Sequence, residues 1–213
     1  MQLVPAQRGA ESFLPVRRSL PVLRDAIQHC HGCSLYEHAT QAVFGEGPRD
    51  ARAVFVGEVP GDLEDRQGRP FVGPAGRLLD EALAAAGIER GSVYLTNAVK
   101  HFKFTRRGKR RIHDKPTRYE IAACKPWLLA ELDLIDPEVV VVLGATAAQA
   151  MFGAAFRITH ERGKDLATAF APHTFATVHP AAVLRAPDPR SREASRAQFF
   201  RDIATVGELL RRL

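Results

Sequence analysis

Three groups of residues in this chain have the types and spacing to do chemistry. The first is Gly57-Glu58-Val59-Pro60-Gly61-Asp62, directly after the apolar run Ala53-Val54-Phe55-Val56. It puts two carboxylates, Glu58 and Asp62, in a Gly/Pro turn, where a carboxylate can stabilise a cation or orient a nucleophile. Gly68-Arg69-Pro70-Phe71-Val72-Gly73 follows. Together the two segments suit a site that holds a flat ring and handles positive charge beside it. The second group is Cys30-x-x-Cys33 with a distant Cys124. That spacing suits metal ligation. An incidental pair plus a small core cysteine fits the spacing equally well. The third is the stretch 100–118, with nine Lys and Arg against one acid, Asp114, interleaved with Phe102, Phe104 and His113. Such a mixture favours a phosphate-bearing partner, nucleic acid above all, over a solvated loop.

These residues need a scaffold. Short β-branched runs at 53–57, 93–97, 138–143 and 174–178 read as strands, the third so apolar that both its faces must be covered. Helical spacing is present at 21–29, 74–86, 116–134, 144–152 and 195–213. The helix at 74–86 has Pro74 at its start and Gly87 past its end. The segment from Lys100 to Lys115 reads as a loop, and residues 1–20 as a poorly ordered lead before a single domain at 21–213. Strands alternating with helices predict an α/β fold, a four-stranded parallel sheet with helices on both faces. Glu58, Asn97 and His179 stand at strand ends, so a parallel sheet would gather them at one edge.

Bulk properties narrow the class. The 213 residues are 46% hydrophobic with a net charge of +6, enough for a full core and a basic surface. No apolar run is long enough to span a membrane, and residues 1–19 hold no continuous apolar stretch of a secretory signal. A cytoplasmic monomer is the expectation. Three cysteines make a disulfide framework a poor reading.

The ordered series Cys30-x-x-Cys33, Gly57-Glu58-x-Pro60-Gly61, Gly68-Arg69-Pro70-Phe71-Val72-Gly73, Thr96-Asn97-x-Val99-Lys100, Cys124 and Val178-His179-Pro180 resembles the uracil-DNA glycosylase superfamily. Within it, the series is similar to the iron–sulfur branch known as family four. The insertion Lys109-Arg110-Arg111-Ile112-His113 is similar to the basic loop of the UdgX group, whose members become covalently joined to uracil-containing DNA through that histidine. Two positions depart from the pattern. His101 stands where ordinary members carry a cysteine, and Val59 stands where the UdgX group usually has glutamine.

The resemblance implies a substrate and roles. Uracil-containing DNA, single-stranded or with its base flipped from a duplex, is the implied partner. His179 would donate to uracil O2, Asn97 would read the O4 and N3–H edge, and Phe71 would stack on the base, with Gly57 and Val59 beside it. Glu58 and Asp62 would face the sugar, and His113 would capture it. Lys109, Arg110 and Arg111 would hold phosphates. Cys30, Cys33, His101 and Cys124 would bind a 4Fe-4S cluster, or zinc with the same donors. His29, His31 and His38 are rival fourth ligands. Taken singly, each residue also has a plainer reading: a core histidine at 179, a core phenylalanine at 71, a turn asparagine at 97, loop-capping acids at 58 and 62. A hydrolytic glycosylase that turns over, and a module that binds uracil-DNA without cleaving it, are the alternatives to self-trapping. A redox protein built around the cluster ranks last.

Overall fold

In the computed structural model, which describes residues 9–213, the first apolar run forms β1 (Ala53–Gly57). It lies between β2 (Tyr94–Asn97) and β5 (Val139–Leu143), and β6 (His173–Thr177) closes the far edge. All pairings in this sheet are parallel, in the order β2-β1-β5-β6. Every residue of β1 and β5 is buried, as their unbroken apolar sequence requires.

The two-residue period of the strands divides the core. Val54, Val56, Val140 and Val142 point to one face, against α1 (Leu20–Ile27), α4 (Arg118–Ile135) and α5 (Ala145–Phe152). Phe55, Val141 and Leu143 point to the other, against α3 (Pro74–Ala85), α7 (Pro180–Leu184) and α8 (Pro189–Arg212). The expected fold class, an α/β sheet with helices on both faces, is the observed one.

Several local expectations need correction. The basic stretch is not a loop. It forms an antiparallel hairpin, β3 (Phe104–Arg107) and β4 (Arg110–His113), with Arg107 paired to Arg110. A two-residue connection needs positive φ, and Gly108 supplies it at +58°. Short helices α2 (Asp62–Gln67) and α6 (Ile158–Glu161), and α7 itself, were not read from the sequence. The first eight residues of the expected lead lie outside the described residues. Beyond them, Ala10–Phe13 forms a 3-10 turn with Ala10 buried in the core beside α4. Among the described residues no helix is long and apolar enough to cross a membrane.

Candidate active site

The carboxyl ends of parallel strands expose backbone polar groups and the following loops, so clefts form there. Gly57 ends β1 and pairs in register with Asn97, which ends β2. His179 stands two residues past the end of β6 and caps the start of α7. Glu58, Val59, Asp62, Phe71, Asn97, His113 and His179 all line one cleft of about 350 Å³. That volume lies within the ~300–1,000 Å³ usual for small-molecule sites.

Close packing shapes this cleft. A side chain at Gly57 would strike Asn97 Oδ1 and come within 2.7 Å of Phe71 Cζ. Gly57 is therefore the spacer that lets the amide and the ring approach each other. Phe71 adopts φ +56°, a left-handed conformation costly for a bulky residue. Gly76 makes room for the carbonyl of that turn, which any β-carbon there would overlap. The Phe71 and His179 rings lie nearly parallel, at 22°, with centroids 6.2 Å apart.

His179 is fixed at a known tautomer. Its Nδ1 accepts the Ala181 N–H at 3.1 Å, so the neutral ring carries its proton on Nε2. Burial pushes its pKa down to about 4, and the positive charge of Arg185 adds to the shift. At neutral pH it is an uncharged donor. His113 is also depressed, chiefly by burial; Glu58 pulls upward against it, and a lesser effect of Arg185 adds to the depression. It sits at the exposed base of the hairpin. Glu58 Oε1 is buried with no hydrogen-bond partner among the described residues. A buried unpaired carboxylate oxygen is costly, and here it belongs to a residue that lines the cleft.

Asp62 and Arg111 have structural duties beyond those expected of them. Arg111 lies on β4 two residues before His113, hence on the same face. Its guanidinium pairs with Asp62 and, at 2.6 Å, with buried Asp65. It also lies over the rings of Phe102 and Phe104. With a side chain only 9% exposed, Arg111 clamps the hairpin onto α2 and is not free to hold a phosphate. Burial raises the Asp62 pKa, but hydrogen bonds and charge from Arg66 and Arg111 outweigh it and hold the carboxyl below its ordinary value. Lys109 and Arg110 remain exposed at the hairpin turn. Lys100, counted above in the basic stretch, is fully buried and paired with Glu131. That carboxylate also accepts from Thr96 Oγ1 at 2.9 Å, Tyr94 OH at 3.1 Å and the Gly45 N–H at 2.9 Å.

Cys30, Cys33, His101 and Cys124 line a second, small cavity, whose lining shares no residue with the cleft. All four are buried, whereas His29, His31 and His38 are exposed. Trp127 Nε1–H donates to Cys30 Sγ at 3.2 Å, and the Lys100 N–H donates to Cys124 Sγ at 3.3 Å. Burial pushes the Cys124 thiol up to about 12 and raises Cys33. Among the described residues, no three His, Cys, Asp or Glu side chains converge closely enough to hold a single metal ion.

A family model described as the uracil DNA glycosylase superfamily matches residues 44–204. The chain belongs to the uracil DNA glycosylase superfamily. It is 41% identical over 167 residues to a type-4 uracil-DNA glycosylase of Thermotoga maritima, covering 78% of this chain and 83% of that protein. It is 36% identical over 192 residues to a type-4 uracil-DNA glycosylase of Pyrobaculum aerophilum, covering 87% and 91%. It also matches, at 32% identity over 178 residues, 18% of the length of a DNA polymerase of Bacillus phage SP01. Three residues at and around the cleft lie outside the expectations drawn from the sequence. Asp65 anchors the hairpin, and Leu184 and Arg185 line the cleft. The one available signal was Pro180 after His179, a helix-start pattern that would have brought Ala181, Leu184 and Arg185 to one face.

Proposed function

We propose that this chain is a uracil-DNA glycosylase of the UdgX type, which releases uracil and joins itself to the deoxyribose through His113. One observation carries the reading: His113, from the β3–β4 hairpin, lines the same cleft as Glu58, Asn97, Phe71 and His179.

The chemistry follows the charges. As the C1′–N1 bond breaks, its electron pair leaves with uracil and the sugar becomes cationic. His179 Nε2–H donates to the O2 that gains charge. A preorganised donor of this kind contributes ~2.7–4 kcal/mol. Asn97 offers both an acceptor and a donor to the N3–H and O4 edge, and Phe71 covers a ring face. The Glu58 carboxylate stabilises the cation. A lone pair on His113 then forms the new bond to C1′, and the remaining ring proton passes to the carboxylate or solvent, and ultimately to the uracil anion. The product is an alkylated imidazole with no ready leaving step, so each molecule reacts once. The depressed pKa of His113 keeps its lone pair free at neutral pH. Val59 is buried against the cleft and offers no hydrogen bond there, which leaves Glu58 as the polar neighbour of the reacting sugar.

We infer that the cysteine cavity is the seat of an iron–sulfur cluster. What supports this is that three soft donors and an imidazole line one cavity, and two N–H groups donate to two of the sulfurs. Cys30, Cys33, His101 and Cys124 would hold a 4Fe-4S cluster, which when bound would cross-link the segments before β1, after β2 and on α4. Zinc on the same donors is the competing reading. Iron and sulfide analysis of the purified protein, beside His101→Ala, separates them: zinc without iron would refute the cluster.

The direct test mixes the protein with a uracil-containing oligonucleotide and resolves the products on a denaturing gel. A shifted protein–DNA band is expected from wild type and none from His113→Ala. Free protein with several abasic sites per molecule would instead identify a hydrolytic enzyme. Binding with no uracil released would identify a binding module.

A further inference from the structure

We propose that Glu131, buried behind the sheet, is a positioning residue that holds Asn97 at the uracil edge by pinning the chain on both sides of it. The proposal rests on the uracil-DNA glycosylase reading of the cleft, in which Asn97 meets the base. Successive residues of a strand point to opposite faces. Asn97, in register with Gly57, faces the cleft beside Phe71. Thr96, in register with Val56, faces the core on the α4 side.

On that hidden side one carboxylate gathers the segment. Glu131 accepts from Thr96 Oγ1 at 2.9 Å, one residue before Asn97, and is ion-paired with Lys100, three residues after it. Lys100 Nζ also donates to Thr96 Oγ1 at 2.6 Å, so the two pins touch each other. Both charged side chains are fully buried. Tyr94 OH and the Gly45 N–H donate to the other carboxylate oxygen and fix the carboxylate itself. Cys124, seven residues earlier on the same helix, accepts the Lys100 N–H at 3.3 Å. On the β1 side, the Ala98 and Val99 N–H groups donate to the carbonyls of Gly57 and Glu58 at 2.8 and 3.0 Å. Those bonds tie the backbone after Asn97 to the acidic turn, and Glu131 ties the side chains that flank it to α4.

A buried ion pair is a poor source of stability, because apolar side chains of similar volume often serve the fold as well or better. What they cannot do is fix residues 96 and 100 against one point with an amide carried between them. An amide that must meet two atoms of a base needs that precision, since a misplacement of about an ångström costs about 10²-fold in rate.

The test measures single-turnover uracil release from a uracil-containing single-stranded oligonucleotide at increasing protein concentration. It compares wild type, Glu131→Gln, Asn97→Ala and the double variant. Glu131→Gln should lower the maximal release rate about ten- to hundredfold and move the half-saturating concentration less than about twofold, because the DNA-facing surface is untouched. In the Asn97→Ala background the same substitution should cost less than about threefold, the non-additivity of residues that act as a unit. Thr96→Val removes the contact next to Asn97 and leaves the ion pair in place. It should repeat the pattern more weakly, and it carries the test if Glu131→Gln does not fold. An unchanged rate, equal losses in both backgrounds, or a loss confined to the half-saturating concentration overturns the positioning role and leaves Glu131 a residue of the core. Absence of any uracil release by wild type overturns the functional reading beneath it.

Discussion

The two histidines that face the cleft are held by opposite means. His179 sits between a buried strand and a helix and lines the cleft, with one ring nitrogen spent on a backbone N–H. His113 sits on a two-stranded hairpin, outside the main sheet, at an exposed position. What holds it is side-chain electrostatics: Arg111 on Asp62 and Asp65, with Phe102 and Phe104 beneath. A backbone-fixed donor suits a leaving group whose position never changes. A nucleophile that must admit the substrate and then reach C1′ suits a clamp that can give slightly. On the proposed reading, the comparison separates base release, assigned to His179, from sugar capture, assigned to His113.

Variants can break that separation. His113→Ala should abolish the covalent product while uracil release continues, because the donor, the amide and the carboxylate remain. Loss of both together would show that the two steps share one residue. His179→Ala should slow uracil release, and capture with it, by about 10²–10³-fold in single-turnover measurements. Arg111→Gln should act more narrowly. It leaves Asp65 buried without its cation, and a misplacement of His113 by an ångström would cost capture about 10²-fold. Uracil release should change much less. An equal fall in both rates would mean that the hairpin shapes the whole cleft. Asp65→Asn should repeat the Arg111→Gln pattern, since the two side chains form one contact.

The same contrast explains what could be read from the sequence. β1 and β5 are local statements, runs of β-branched residues with no polar interruption, and they were legible. So were Glu58, Asn97 and His179, because strand ends in a parallel sheet converge by topology alone. The hairpin was not legible. Arg111 looks like any surface arginine until Asp62 and Asp65, some fifty residues earlier, come to face it. Lys100 misled for the same reason, since its buried partner Glu131 lies 31 positions away on α4. Arg185 was missed because its place in the cleft depends on α7, a helix of five residues with little periodicity to show. Side chains whose meaning depends on a distant partner stay silent in the sequence.

Acid should also distinguish the two imidazoles through stability, with a smaller effect. His179 takes its proton near pH 4 in the folded protein and near 6.5 when unfolded. Above about pH 6.5 neither state is protonated there, and its full contribution to stability is present. Between about 6.5 and 4 the unfolded chain binds a proton that the folded ring refuses, so stability falls as the pH falls. The whole gap would be worth about 3 kcal/mol, and the ring's opening to the cleft reduces this to about 1–2 kcal/mol. Urea unfolding at pH 7 and pH 4.5 should show this loss in wild type and a visibly smaller one in His179→Ala. His113→Ala should alter the profile less than His179→Ala does, because its ring is the more exposed of the two and the pull of Glu58 opposes its depression. If instead the His113 variant flattened the profile, the hairpin would be as firmly built into the core as the strand end, and the adjustable clamp would have to be abandoned.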